Sequence, residues 1–432
     1  MGRRGWSAGE YLARLKDAPS LVAELCLPLA ERPEDSVAVA FALSYEALER
    51  GQQRLFRALG VMAEGGLAPS AVAGVMGQEP GEVERGLEGL AALSLVRPSQ
   101  APGRTELHPL LADYSRVLAR EAGEWEGLRN AHLAYYVAYA ERYTNDYGAL
   151  GGELGNLMAA AEWSWKSGEN EGVQALVQWL YVGGGEFLDL QGHAREAVRL
   201  LGWAAEAARA AGDWRAEGVS LTCLGLAYAA LGAARRAIGT YEQALAISRE
   251  IGDQRAEGAI LGNLGLAYAD LGEVRRAVEY YEQALEIDRE IGDRRGEGNA
   301  LGNLGLAYAD LGEVRRAIEY YEQALTLARE IGDRYAEGNH LGSLGLAYAA
   351  LREVRRAIGT FEQALKIARE IGDRRGEGNA LANMGTAYRN LGDLERAREL
   401  WEQALKIYEA IEDPNAERVR GRLGELAAAS AP

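Results

Sequence analysis

Lysine is scarce in this 432-residue sequence, with only four among its 47 cationic residues: Lys16, Lys166, Lys366 and Lys406. A phosphate-binding P-loop needs the pattern G-x-x-x-x-G-K-[ST], in which the lysine reaches the phosphates and the hydroxyl reaches magnesium. Only Lys166 precedes a serine, and Trp165 stands in place of the glycine. We therefore predict that the sequence carries no P-loop, and we expect no bound cofactor.

Cysteine and long apolar runs are also scarce. Cys26 and Cys223 cannot form a disulfide framework, and they fit a reducing compartment. No run approaches the roughly 18 apolar residues of a transmembrane helix, and the N-terminus lacks the apolar core of a signal peptide. The net charge of −17 disfavours nucleic acid and anionic membranes as partners. Together these features predict a soluble, cytoplasmic protein.

Glycine is in excess, at 54 of 432 residues, and most of it recurs at fixed positions of a repeat. Residues 251–290 and 291–330 are identical at 32 of 40 positions without a gap. The same unit recurs at 211–250, 331–370 and 371–410. Within a unit the apolar positions follow helical spacing, which Gly272 and Gly292 interrupt. Each unit is therefore predicted to be a hairpin of two helices.

The residue pattern inside the repeat runs Leu261-x-x-Leu264-Gly265-x-x-Tyr268, then Ala277-x-x-x-Tyr281-x-x-Ala284. It closely resembles the tetratricopeptide repeat (TPR), in a 40-residue form similar to that of spindle-orientation adaptors and bacterial signal-sensing ATPases. Gly265 and Ala277 are small enough for two helices to approach, and Tyr268 and Tyr281 are expected to fill the space between successive hairpins. The predicted fold class is all-α, a right-handed TPR superhelix (an α-solenoid).

Both ends of the array depart from the repeat, as the ends of stacked repeats do. Residues 173–210 keep only fragments of the pattern, and Asp413-Pro414 offers an N-cap and a first-turn proline for a last helix. We expect a degenerate hairpin at 173–210, five units at 211–412 and a capping helix at 413–432.

The first 120 residues have a different pattern. Helical segments at 36–62, 69–76 and 80–93 precede the β-prone arms of LVRPSQAPGRTELH, which predicts a small winged-helix domain with one β-hairpin. The strings ALSYEAL and QQRLFRALGVM, with Leu107-His108-Pro109, resemble the winged-helix segment of STAND ATPases. Residues 151–210 resemble the helical stretch that precedes the sensor repeats of bacterial members. The expected boundaries are a helical linker segment at 1–33, a winged helix at 34–118 and a helical linker at 119–172.

The resemblance implies a role for His108, which would sense a nucleotide phosphate if a nucleotide-binding domain is present in cis or in trans. The alternative is a hairpin histidine without a ligand. A winged helix also raises DNA binding, but the helix at 79–93 would be repelled by phosphates. That segment carries one cation, Arg85, against Glu79, Glu82, Glu84 and Glu88.

The first helices of a stacked hairpin array line its concave face. Small residues would keep this groove open, leucines would make it apolar, and amide side chains could bond a peptide backbone. The predicted peptide-binding residues are Asn263, Leu266, Asn299, Asn303, Leu306, Asn339, Leu346, Asn379, Asn383 and Arg389. Some of these asparagines could instead bond within their own hairpin. Spindle-orientation adaptors place arginine and asparagine where this sequence has Asn299 and Leu306, so their acidic ligands are not assumed.

No motif in the sequence indicates catalysis. Gly5-Trp6-Ser7-Ala8-Gly9 matches the nucleophile elbow G-x-S-x-G, but no strand precedes it. Gly183-Gly184-Gly185 has no strand or lysine nearby, which favours a helix break over a phosphate cradle. The four histidines are dispersed, and no HExxH or CxxC pattern offers a metal site.

The prediction is therefore a non-enzymatic module whose concave groove binds a protein or peptide, as the TPR sensor of a STAND-type ATPase. A free-standing TPR adaptor is the alternative, and a DNA-binding regulator is a third, weaker one.

Overall fold

The computed structural model describes residues 37–63, 66–182 and 187–429. The motif at Gly5–Gly9, the Gly183–Gly185 run and the 1–33 segment lie outside the described residues. The chain divides into two compact units, Met1–Ala216 and Glu217–Pro432. Among the helices of the described ranges, none has the length and apolarity that a membrane crossing requires.

Helices of 4 to 18 residues and one hairpin build the described part of the first unit. They are α1 (Val37–Glu46), α2 (Arg50–Leu59), α3 (Pro69–Met76), α4 (Pro80–Ala92), β1 (Arg97–Pro98), β2 (Thr105–Glu106), α5 (Pro109–Glu121), α6 (Trp125–Arg142), α7 (Tyr147–Gly152), α8 (Leu154–Ser167), α9 (Asn170–Val177), α10 (Phe187–Leu190) and α11 (Ala194–Ala211). The strands pair antiparallel, with Arg97 opposite Glu106, which confirms the predicted hairpin. A single π-helical turn, Gln178–Val182, follows α9.

A buried polar network lies in the core of this first unit. The Glu153 carboxylate accepts hydrogen bonds from the Tyr136 hydroxyl at 2.6 Å and the Asn156 amide at 2.8 Å, and it pairs with Arg104 beside β2. Asn156 Oδ1 in turn accepts from the backbone N–H of Ala63 at 2.7 Å. The network therefore ties the hairpin and the segment after α2 to α6 and α8.

Paired helices of nearly constant length build the second unit. They are α12 (Trp214–Ala230), α13 (Ala234–Ile251), α14 (Gln254–Asp270), α15 (Val274–Ile291), α16 (Arg294–Asp310), α17 (Val314–Ile331), α18 (Arg334–Ala350), α19 (Val354–Ile371), α20 (Arg374–Asn390), α21 (Leu394–Ala410) and α22 (Asn415–Ala429). In the central hairpins the first helix has 17 residues and the second 18. The all-α fold class and its TPR-type helical hairpins are confirmed.

The glycines end the helices as the repeat pattern predicts. Gly292 follows α15 with φ of 70°, a left-handed conformation that glycine adopts without steric cost. The next residue begins the following helix, because Asp293 Oδ1 accepts from the backbone N–H of Gly296 at 3.0 Å. At the C-terminus, Asp413 Oδ1 accepts from the N–H of Asn415 at 2.9 Å just before α22.

Close helix packing depends on Gly265. A Cβ at this position would overlap the ring of Tyr281, which lies on the second helix of the same hairpin. Tyr281 therefore packs inside its own hairpin, whereas it was expected to fill the space between successive hairpins. Tyr308 reaches the preceding hairpin as expected of its position, with its hydroxyl 3.3 Å from Glu282 Oε1.

Candidate functional site

A cavity of about 670 Å³ lies along the first helices α14, α16 and α18, and we call it the central groove. Six of the ten residues predicted to bind peptide line it: Asn263, Leu266, Asn299, Asn303, Leu306 and Asn339. The 40-residue period places these side chains at equivalent positions of successive hairpins, so the groove is built by repetition.

The other four predicted residues do not line the central groove: Leu346, Asn379, Asn383 and Arg389. Asn379 accepts a hydrogen bond from the Tyr408 hydroxyl at 2.7 Å, so the alternative of bonding within the hairpin holds at this position. The Arg389 guanidinium lies 5.6 Å from the ring centre of Trp401 on the second helix of the same hairpin.

A row of exposed leucines, one on the first helix of each of three successive hairpins, lies beside the asparagines of the groove. Leu266, Leu306 and Leu346 are 45%, 53% and 54% exposed, whereas the neighbouring Leu264 and Leu304 are buried. The row begins one hairpin earlier, at Leu226, which was not among the predicted residues. Leu226 lies 40 residues before Leu266 and is 42% exposed.

The asparagine side chains of the groove are accessible and bond to no other described residue. Asn299 and Asn339 are exposed, Asn263 and Asn303 are half-buried, and none of the four side-chain amides makes a hydrogen bond to another described residue. Each amide offers two donor hydrogens and a carbonyl acceptor. The groove therefore presents hydrogen-bond donors and acceptors between its exposed leucines.

The arginines of the groove are already paired. Arg255 contacts Asp293 at 3.2 Å and Arg295 contacts Asp333 at 3.2 Å, so each arginine neutralises the N-cap aspartate of the next hairpin. Hydrogen bonds from backbone N–H groups and then the arginines hold the pKa of both aspartates below the usual range. Burial lowers the pKa of His340, which favours a neutral imidazole in the groove.

Asp288 is a groove residue that the sequence analysis missed. It lies on α15, only 6% exposed, and its carboxylate lines the central groove. Burial raises its pKa to about 6, and the carboxylates of Asp293 and Glu297 add to the rise. The repeat alignment contains the signal, because the equivalent positions are occupied by Ser248, Ala328, Ala368 and Tyr408.

His108 is the N-cap of α5. Its Nδ1 accepts from the backbone N–H of Leu110 at 3.2 Å, and the residue is exposed. This local bond involves Nδ1 alone, and the nucleotide-sensing role of His108 stays a prediction. In the described residues, no group of three or more His, Cys, Asp and Glu side chains is arranged to hold a metal ion.

The repeat region matches a family model described as tetratricopeptide repeat, over residues 216–290, 256–330, 296–370 and 336–410. The regulatory protein AfsR of Streptomyces coelicolor is 33% identical over 117 residues, which are 27% of this chain and only 11% of that relative.

Two solved structures give weak overall superpositions. BtubC (BKLC) from P. vanneervenii is 24% identical, with coverage of 52% of this chain and 92% of its own and a TM-score of 0.46. A STAND protein with a tetratricopeptide repeat sensor from Pyrococcus horikoshii is 19% identical, with 98% and 67% coverage and a TM-score of 0.45. The family match, together with the hairpin geometry, identifies residues 216–410 as an array of tetratricopeptide repeats, a protein-interaction module.

Proposed function

We propose that the central groove binds an extended segment of a partner protein or peptide. The observation that carries this proposal is the set of four accessible amides at Asn263, Asn299, Asn303 and Asn339, which line the groove without a partner among the described residues. Amides at a regular spacing can pair with the N–H and C=O groups of an extended chain, which itself has no internal backbone bonds. The exposed leucines between them would receive apolar side chains of that segment.

The proposal extends to the role of the whole chain as a sensor and regulatory module of a STAND-type ATPase, without catalysis of its own. The resemblance of residues 34–118 to the winged-helix segment of those ATPases supports it, together with the match to a regulatory protein. In this role occupancy of the groove is the input signal. A nucleotide-binding domain, in cis or in trans, would be the partner, and His108, exposed at the start of α5, would face its nucleotide.

Binding is tested with a random dodecapeptide phage library panned on the full chain. Selected peptides are then measured by fluorescence anisotropy on wild type and on the triple variant Leu266→Glu, Leu306→Glu and Leu346→Glu. Leu266 and Leu306 line the central groove, and Leu346 is the next exposed leucine of the same row, outside the groove. The three leucines are about half exposed, so the variant should keep its helical circular dichroism while affinity falls at least tenfold. A matched control places glutamates at exposed leucines of hairpin turns, as Leu231→Glu, Leu271→Glu and Leu391→Glu.

Three results are informative. Loss of binding only in the groove variant supports the proposal. Equal loss in both triple variants would mean that added charge, and not the groove, is responsible. Unchanged binding by the folded groove variant would place recognition elsewhere and overturn the proposal.

A further inference from the structure

Asp288 is the charge in the central groove that the described residues leave without a partner. Its carboxylate makes no ion pair or hydrogen bond to any described side chain, although it is more than nine-tenths buried. A largely buried and unpaired carboxylate is unfavourable, because burial removes much of its hydration without replacing it. The Asp288 carboxylate lines the central groove, so a ligand in the groove can supply the missing contact.

The charged neighbours of Asp288 cannot supply that contact because each has its own partner. Glu297 is bound by Arg289 at 2.9 Å and by Arg294 at 2.7 Å. Arg255 is bound to Asp293, and Arg295 is bound to Asp333. Asp293 and Glu297 are thus already neutralised by arginines, and Asp288 is the groove carboxylate that remains available to a cationic ligand.

Two glycines leave space around the Asp288 carboxylate. A Cβ at Gly258 would lie 2.7 Å from Asp288 Oδ1, and a Cβ at Gly296 would lie 2.7 Å from its Cγ. Gly258 occupies a position that is glycine in every unit, and the position of Gly296 is alanine at Ala256 and Ala336 and glycine again at Gly376. The glycine after the aspartate's hairpin therefore makes room for the carboxylate, although it is not unique to that hairpin.

The repeat itself does not require an acid here. Ser248 at the equivalent position bonds the Leu245 carbonyl at 3.0 Å, and Ala328 and Ala368 pack without any polar group. Asp288 is therefore a substitution in the repeat pattern of one hairpin, and its side chain lines the central groove.

We propose that Asp288 binds the cationic side chain of an arginine or lysine in the peptide that occupies the central groove. The inference rests on the proposed function and adds a specificity to it. A guanidinium or ammonium would donate charge-assisted hydrogen bonds to the carboxylate from the open side of the groove. The same acid would repel peptides with an acidic residue at that position.

The test compares peptides selected on the full chain with those selected on Asp288→Asn, from the same dodecapeptide library. The wild-type chain should enrich arginine or lysine at one fixed position of the consensus, and the variant should lose that preference while it keeps the apolar positions. A selected peptide should bind Asp288→Asn at least tenfold more weakly, the equivalent of about 1.4 kcal/mol. Replacing its cationic residue by glutamine should cause the same loss on wild type and almost none on the variant.

The control variant is Glu286→Gln, which removes an equal charge from an exposed position of the same helix. An equal loss of affinity in this control would mean that bulk attraction to an acidic protein, and not Asp288, selects the cation. Groove-dependent peptides without a basic consensus would overturn the inference and leave the proposed function standing. Peptides that bind the triple leucine variant as well as wild type would overturn the proposed function, and the inference with it.

Discussion

The two units of the molecule hold their polar groups in different ways. In the first, Glu153 joins Tyr136, Asn156 and Arg104 in a network that occurs once in the described structure. In the second, one ion pair recurs at every hairpin boundary from α13 to α20. Its members are Arg249–Glu257 at 2.6 Å, Arg289–Glu297 at 2.9 Å, Arg329–Glu337 at 2.8 Å and Arg369–Glu377 at 2.8 Å.

The network contacts of the first unit are therefore specific to one set of residues, whereas the recurring ion pairs of the second unit can be exchanged between hairpins. A recurring pair has the same partner in every hairpin, so its loss or displacement is local. A network made once fixes a single arrangement, and no other residue can replace a missing member. Two residues inside the repeated region also occur only once: Asp288, and Arg352 in the turn after α18, where the other units have glycine.

Deleting residues 291–330 tests the exchangeable contacts most severely. The deletion joins Glu290 to Ile331, and Arg289 then meets Glu337 in place of Glu297. The array should remain folded and lose one hairpin's share of stability, about 2–6 kcal/mol at roughly 0.05–0.15 kcal/mol per residue. Urea denaturation followed by circular dichroism measures it, with a smaller m value expected because less surface is exposed on unfolding.

The new junction contains one steric mismatch, between Asp288 and the helix that would follow it. Asp288 would face Ala336 in place of Gly296, where a Cβ has no room. The deletion combined with Asp288→Ala should therefore be more stable than the deletion alone. An unfolded chain in both cases would show that the hairpins are not modular.

Breaking the single-copy network should have the next largest effect. Glu153→Gln removes the carboxylate charge that pairs with Arg104 and accepts from Tyr136, and the loss should be about 3–5 kcal/mol because both partners stay partly buried. Hydrogen exchange of the α6 and α8 amides reports it locally. In the control Glu162→Gln, the exposed pair with Lys166 should contribute less than about 1 kcal/mol. Equal losses of stability for Glu153→Gln and Glu162→Gln would show that the buried network is worth no more than an exposed ion pair.

Repetition also explains which parts of the structure could be predicted. The 40-residue period, the helix ends at Gly272 and Gly292 and the hairpin at 95–108 are written locally in the sequence, and all three were confirmed. The groove lining followed only in part, since Asn379 is satisfied by Tyr408 within its own hairpin. That bond depends on Tyr408, whose position is occupied in earlier units by Ser248, Asp288, Ala328 and Ala368.

The polar network of the first unit could not be predicted. Arg104, Tyr136 and Glu153 are far apart in the sequence and follow no period, so only the folded chain brings them together. His132 illustrates the same limit. It is fully buried, and burial together with Arg129 lowers its pKa to about 3, yet a single histidine in the sequence gives no sign of this environment.

Asp288→Ala should stabilise the array, in contrast to the Glu153 variant. Because the folded state raises the pKa of Asp288 to about 6 from its ordinary value of 3.8, the folded state binds this proton more tightly than the unfolded chain does. The wild type consequently loses stability as the pH rises from about 4 to above 6. The variant should gain about 2–3 kcal/mol over wild type at pH 7.5, from 1.36 kcal/mol per pKa unit, and little at pH 4.

Urea titrations of both proteins at the two pH values give this difference. Ser248→Ala, the equivalent change one hairpin earlier, is the control and should show no such pH dependence. A gain for Asp288→Ala that is the same at pH 4 and pH 7.5 would mean that packing, and not ionisation, is responsible.

The smallest expected effect concerns a hairpin turn in which arginine replaces the glycine of the other units. Arg352 has φ of 62°, whereas Gly232, Gly272 and Gly312 hold the equivalent left-handed positions. A side chain in this conformation costs about 1–2 kcal/mol, part of which glycine returns through greater freedom of the unfolded chain. Arg352→Gly should therefore raise the free energy of unfolding by about 0.5–1 kcal/mol in urea, and the reverse change Gly312→Arg should lower it similarly. Since Arg352 is exposed, a loss of stability on Arg352→Gly would reveal that its side chain makes a favourable contact worth more than the strain.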